Sequence, residues 1–446
     1  MQRTTDMTKG HILKLMLKFA FPLILTNLGQ QLYMIVDGAI VGRGVGVKAL
    51  AAVGAADWTY WLILWTIMGL TYAFSTFVSR YFGEKNYKDV NKTIAMSTLL
   101  CVLIGVFVTA IGLVCVNPIL NALDTPSDII GEASIYLNTM LSGIVVVTAY
   151  NMASSILRAF GDGRSPLIAM LIAAILNIGL DLVFVMVFNW GVFGAAIASV
   201  ISQLVSFLYC LYRIKKIDCV KIEKDMWKPD YRILRELVFF AFPLSLQYIV
   251  IGLGGVILQS TINLQGSIFV AGFTAVNKLY GLLESTAISL GVAFSTFFSQ
   301  NYGAGINERV KKGMRIGEKL CIISAIIVMI FVFLTGEYLV QIFIDVSKEG
   351  GLDALTVGLK YLFYMNGFLV ILYLIHIYRN FFQAIGISFW SVISGSIEFV
   401  IRVFMGKVVF AWCGVETLFF IEPAAWIGAL LLVIVPYYVL RNKLIK

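Results

Sequence analysis

Histidine is nearly absent from this chain: 446 residues contain two, His11 and His376. The six cysteines (Cys101, Cys115, Cys210, Cys219, Cys321, Cys413) are scattered without a CxxC pair, mostly in apolar stretches. Without a His/Cys cluster there is no ligand set for zinc or haem, and without paired spacing no disulfide scaffold, so the cysteines read as small core residues. Charge is also scarce. Asp, Glu, Lys and Arg make up 13% of the chain, against roughly 25% in an average soluble protein, which excludes a disordered chain or a coiled coil. No GxGxxG follows a strand, and there is no Walker A lysine loop, HExxH or GxSxG, so the usual nucleotide-binding and hydrolytic signatures are missing. If such a protein pumps, an ion gradient or a separate ATPase subunit must supply the energy.

What remains is apolar. Hydrophobic residues reach 60%, where roughly 45 to 50% is usual, and the mean hydropathy is +0.90. The length would allow about three soluble domains of roughly 150 residues, but this composition indicates a polytopic membrane protein. The first apolar run, from Ile12, continues far beyond a signal-peptide h-region and lacks an AxA-like site, so no cleavable signal is expected. Twelve segments are long enough to cross a bilayer: 14–40, 48–79, 93–116, 129–157, 165–188, 192–213, 235–263, 270–299, 317–344, 357–384, 388–411 and 418–440. Sorting the 34 Lys and Arg residues by loop puts 26 on one side, with Arg379 near the end of span 10 counted among them. Four lie opposite (Arg43, Lys48, Lys348, Lys360) and four within spans (Lys18, Lys278, Arg402, Lys407). The positive-inside rule then predicts a multi-pass protein of the cell membrane with both termini cytoplasmic. The net charge of +9 is thereby explained as topology, with no nucleic-acid partner implied.

The chain repeats itself. Phe19-Ala20-Phe21-Pro22-Leu23 recurs 221 residues later as Phe240-Ala241-Phe242-Pro243-Leu244. Phe74-Ser75-Thr76-Phe77 with Ser79 and Gly83 recurs after 220 as Phe294-Ser295-Thr296-Phe297 with Ser299 and Gly303. Tyr136-Leu137 and Gly161 match Tyr361-Leu362 and Gly386 at 225. The expected organisation is an all-α membrane protein of two six-helix bundles, 1–213 and 235–446, joined by a charged cytoplasmic linker at 214–234. Because six is even, both halves insert in the same sense, which is the parallel-repeat architecture of many secondary transporters. Some channels are also duplicated bundles.

Ionisable groups inside spans are costly and therefore functional candidates. Asp37 lies deep in span 1, fifteen residues after Pro22, a proline that loosens the helix by removing a backbone donor. Asn177 and Asp181 on span 5 are four apart and share one helical face. If that face meets Asp37, two carboxylates and an amide converge into a site for protons or for a small cation such as Na⁺. Tyr136 and Asn151 on span 4 and Ser199 on span 6 are accessory polar groups that could complete such a shell or simply bond between helices. The second half does not repeat the acidic pattern: Leu258 stands at the position corresponding to Asp37. Instead Glu398 and Arg402, four apart on span 11, are expected to close an internal ion pair. Lys278 and Glu284 on span 8 do not share a face, and His376 on span 10 reads either as a proton carrier or as a hydrogen-bonded bundle residue.

Several features together resemble one known family. They are the Phe-Pro-Leu opening of spans 1 and 7, Asp37-Gly38 followed by Gly42, the Leu157-Arg158-Ala159-Phe160-Gly161-Asp162-Gly163 turn after span 4, and Gly194-Ala195-Ala196 leading span 6. In that order and spacing they are similar to the multidrug and toxic compound extrusion (MATE) transporters, over essentially the whole chain. The resemblance implies a V-shaped pair of bundles around a central cavity that exports amphipathic, often cationic compounds in exchange for Na⁺ or H⁺, without a cofactor and as a monomer. It implies that Asp37, Asn177 and Asp181 form the coupling-ion site, with Tyr136 and Asn151 as helix 4 contributors. Ser199 then replaces the usual Thr of helix 6, and Pro22 is the residue linked to bending of helix 1. This sequence departs from the members that carry an acidic residue in helix 7, since 251–258 is apolar or neutral.

The function these readings lead to is secondary active multidrug efflux: small organic cations exported across the bilayer in exchange for H⁺ or Na⁺. The alternative is a flippase for a lipid-linked saccharide precursor, which would need Arg402, Lys278 and Lys407 to line its cleft. An intramembrane enzyme would need a nucleophile or metal set converging on His376, and a channel would show uncoupled flux.

Overall fold

The computed structural model describes residues 4–123, 125–347 and 349–444, apart from the side chains of Val47 and Trp58; Arg3, Lys348 and Lys446, counted above among the loop and tail charges, lie outside them. Among the described residues every regular element is a helix, as a lipid-embedded chain requires when no water is available to bond its N–H and C=O groups. The first half runs α1 (Ile12–Gly44), α2 (Val47–Gly83), α3 (Tyr87–Ala122), α4 (Ile130–Ser142), α5 (Ile144–Ala159), α6 (Arg164–Asp181) and α7 (Gly191–Lys215). The second runs α8 (Tyr231–Asn263), α9 (Ser267–Gly303), α10 (Asn307–Gln341), α11 (Gly351–Gly367), α12 (Leu369–Ala384), α13 (Phe389–Phe404), α14 (Phe410–Cys413) and α15 (Glu416–Leu444).

Among the described residues nine helices are long and apolar enough to cross a membrane alone, and eleven segments are if α4 with α5 and α11 with α12 each make one bent span. The remaining segment is α13, which at 16 residues is too short by itself. It continues through a π-helical turn at Met405–Val409 into α14, forming unbroken helix from Phe389 to Cys413. Spans 4 and 10, expected as single helices, are each broken, by 48° and 49°. At the first break a Cβ on Gly143 would come within 2.4 Å of Val200 Cγ2, so only glycine fits where α7 crosses the bend.

The repeat is written in the backbone as well as in the sequence. The two breaks are matched by two π turns, Leu182–Val187 after α6 and Met405–Val409 after α13. Glycines with positive φ pair across the halves: Gly46 with Gly266, Gly161 with Gly386, and Gly191 with Gly414. α1 continues through Pro22, whose carbonyl accepts a hydrogen bond from Thr26 Oγ1 at 2.8 Å.

The chain forms two compact units, Met1–Met7 with Phe21–Ser245 and Thr8–Ala20 with Leu246–Lys446. The first is built around α2, whose buried Phe74, Phe77, Val78 and Tyr81 pack with residues of α3, α5 and α7. In the second, α9 is the enclosed helix and approaches α11 so closely that a Cβ on Gly272 would meet Ala354 O at 2.6 Å, the small-residue contact on which helix packing in lipid depends. The charged stretch 214–234 is tied down. Asn91 on α3 donates to Cys219 O (2.9 Å) and accepts from Lys221 N (2.8 Å), Lys92 Nζ donates to Lys228 O (2.7 Å), and Arg232 pairs with Asp89. The N-terminal arm is held in the same unit by Thr5 N donating to Phe160 O at 3.0 Å.

Candidate functional site

In the first unit four helices bring polar side chains to one place. Asn177 and Asp181, one turn apart on α6, are both fully buried. The Asn177 amide donates to Asp181 Oδ2 at 2.8 Å and accepts from the Ser199 hydroxyl at 3.2 Å and from Ser199 N–H at 3.3 Å. Tyr33 on α1 lies with its hydroxyl 3.3 Å from Ser199 Oγ. One turn further along α1, Asp37 brings its carboxyl within hydrogen-bonding reach of Asp181. Among the described residues Asp37 Oδ1 and Asp181 Oδ1 are buried and meet no donor. An ionised carboxylate only accepts hydrogen bonds, so two of them can share this contact only through a proton or around a cation. A third acid, Asp57 on α2, stands in the electrostatic environment of Asp37, and the buried Tyr60 and Tyr136 stand in that of Asp57. Among the described residues no Lys or Arg enters the surroundings of these three acids. Asn151 donates to Val147 O of its own helix at 2.9 Å.

The second unit holds the opposite arrangement. Arg402 on α13 donates to both oxygens of Glu422 on α15, at 3.0 and 2.8 Å, and its Nη2 lies 3.6 Å from Glu398 Oε2. Glu398 takes its shorter bond, 2.7 Å, from Arg379, whose Nε also donates to Ser394 Oγ at 3.0 Å. All four charged groups are at most 9% exposed. The sequence predicted the Glu398–Arg402 pair alone; the structure makes it the weakest contact of a four-membered, charge-balanced network. It also moves Arg379 from a loop into the buried face of α12. Arg402 therefore offers no free positive charge to a lipid-linked saccharide, while Lys278 and Lys407 are exposed. His376 Nε2 lies 3.7 Å from Glu284 Oε1, a pairing that sequence spacing could not show.

Two acidic participants, Asp57 and Glu422, were not singled out from the sequence, and neither were Tyr33 and Tyr60. The signal was available for both acids. Each lies inside a predicted span, and the rule that selected Asp37 applies equally to them.

A helical membrane protein of two repeated halves, with unpaired carboxylates buried in one and a closed ion network in the other, has the build of a solute transporter. The MatE family model matches residues 22–183 and 243–408, once in each half, and the chain belongs to that family. Among curated proteins it is 29% identical to the probable multidrug resistance protein YpnP of Bacillus subtilis, over 92% of this chain and 91% of that protein. It is 27% identical to the probable multidrug resistance protein NorM of Thermotoga maritima, over 76% and 75%. Among solved structures, an outward-facing multidrug resistance MATE transporter of the MOP superfamily superposes with a TM-score of 0.92 at 22% identity, covering all of both chains. A MOP superfamily transporter from Pyrococcus furiosus, described as having a binding pocket of reversed polarity, superposes at 0.90 and 23%, over 99% of both.

Proposed function

We propose that this protein is a multidrug efflux antiporter of the cell membrane, exporting amphipathic cations in exchange for H⁺ or Na⁺ with both termini in the cytoplasm and the bundles 1–213 and 235–446 as its working halves. The observation that carries this reading is the Asp37–Asp181 contact, where two buried carboxyl groups face each other with no basic partner. Such a contact is stable with a proton or a cation between the oxygens and unstable without one. A cationic drug and a coupling ion then compete for the same negative charge, and linkage makes that competition reciprocal: the ion weakens drug binding by the factor by which the drug weakens ion binding. Asn177 and Ser199 hold Asp181 in place, and Tyr33, Tyr136 and Asp57 complete the polar wall. Each net charge moved through the membrane potential contributes about 2.3 kcal/mol per 100 mV; a one-for-one exchange of singly charged cations moves none, so the concentration gradient of the ion drives that cycle.

The test is ethidium efflux from proteoliposomes under an imposed pH gradient or an imposed Na⁺ gradient, for the parent chain and Asp37→Asn. Efflux driven by one gradient and lost in the variant supports antiport and identifies the ion. Folded, inserted protein that moves no ethidium under either gradient, or a variant that couples as well as the parent, refutes it.

A further inference from the structure

The repeat allows the two polar clusters to be superimposed residue by residue. Tyr60 and Tyr136 correspond to Tyr280 and Tyr361 at offsets of 220 and 225, and Asp57 corresponds to Asn277, which accepts a hydrogen bond from Tyr361 at 3.3 Å. Counted from the first residues of α6 and α13, Arg164 and Phe389, Asn177 corresponds to Arg402 at 225. Counted from the positive-φ glycines Gly191 and Gly414, Ser199 corresponds to Glu422 at 223. The contacts agree with this pairing: Asn177 bonds Ser199 in one half and Arg402 bonds Glu422 in the other. Three further exchanges complete the pattern. Asp37 becomes Leu258 and Tyr33 becomes Gly254, both at 221, and Asp181 becomes Gly406 at 225. Gly254 is where Arg402 passes: a Cβ there would stand 3.2 Å from Arg402 Cδ, and the guanidinium reaches beyond it to donate to Ile251 O at 3.3 Å.

We propose that Arg402 is a tethered cation, seated in the second half where the first half would hold its coupling ion, and that it closes a latent cation site formed by Glu422 and Glu398. Glu422 and Glu398 are thereby permanently neutralised, Glu398 also by Arg379, by covalently attached charges that no gradient can exchange. Coupling is confined to the first half, one ion site per chain. This last consequence rests on the antiport reading; the site itself does not.

The test reads cation binding in the second half alone. The full-length chain is purified with Asp37→Asn in every sample, and Tm is followed as choline is replaced by guanidinium at low-millimolar concentration or by Na⁺ at constant ionic strength. Arg402→Ala is expected to lower Tm in choline and to recover part of the loss in guanidinium or Na⁺. The parent and Arg402→Lys, which keep a tethered charge, are expected to show no such shift, and neither is Arg402→Ala/Glu422→Ala, which lacks the principal carboxylate. A cation response absent from Arg402→Ala, or equally large without Glu422, overturns the proposal. So does an Arg402→Ala chain that stays unfolded with guanidinium present throughout purification, whether or not the double variant folds, because a latent site would accept the free ion. Loss of gradient-driven efflux in Asp37→Asn tests the antiport reading separately, so the two can fail independently.

Discussion

The two halves of this protein share one backbone plan and opposite electrostatics. Both have a sharply bent fourth span, a fifth span ending in a π turn and a pair of tyrosines at equivalent places. In the first half those elements surround carboxylates that have no basic partner among the described residues; in the second they surround two arginines and two glutamates joined at 2.7 to 3.6 Å. On the proposed antiport, the difference is how the duplicated bundle separates its tasks. A buried acid without a counter-charge is destabilising unless an exchangeable ion visits it, whereas an acid bonded to arginine on a neighbouring helix links those helices and exchanges nothing. One half keeps the electrostatic cost available for work and the other removes it.

The comparison is most directly broken at Glu422. Glu422→Ala leaves Arg402 as a buried charge without its bidentate partner and is expected to destabilise the chain by about 3–5 kcal/mol, read from thermal or denaturant unfolding in detergent. Asp181→Asn, the corresponding removal of an acid in the first half, is expected to leave stability unchanged or raised. A Glu422→Ala chain as stable as the parent would show that the second network bears no load. Function reverses this order. Asp181→Asn is expected to reduce the effect of the ion gradient on drug efflux by about 5- to 150-fold, the usual span of a coupling free energy, measured as the ratio of driven to undriven transport.

Two smaller changes sharpen the contrast. Gly254→Val pushes side-chain atoms into the path of Arg402 and is expected to cost about 1–3 kcal/mol. At the corresponding position Tyr33 makes only a long hydroxyl contact, so Tyr33→Phe is expected to change unfolding by less than that. Ser199→Ala removes the hydroxyl that donates to Asn177 and is expected to cost about 1 kcal/mol; Ser199→Thr, which keeps the hydroxyl, is expected to restore both stability and coupling. Equal Tm values for the alanine and threonine variants would remove Ser199 from the shell.

Much of this was legible before any coordinates. Apolar run lengths, the offsets near 221 and the i,i+4 spacing of Asn177 with Asp181 follow from helix geometry and bilayer thickness, which act on residues close in sequence or identical in kind. The four-membered network was legible only in part. Glu398 and Arg402 are neighbours on one helix, but Arg379 and Glu422 reach them from α12 and α15, and no local periodicity says which faces of three helices will meet. Arg379 was misplaced for a related reason: near a span end, a basic residue in a loop and one turned into the bundle look the same in a one-dimensional count. The bent spans were hidden because α4 with α5, and α11 with α12, are apolar on both sides of the break, so hydropathy runs through it.

The sequence by itself determined that this chain crosses a membrane, that it is duplicated, and which few charged residues must be accounted for inside it. These are properties of composition and spacing, set by the cost of exposing backbone and charge to hydrocarbon. Tertiary structure alone decided that Asp37 would face Asp181 while Arg402 would close on Glu422. Whether a buried charge is open to exchange or already satisfied depends on contacts of a few ångströms between helices far apart in the chain, and packing rather than spacing sets those distances.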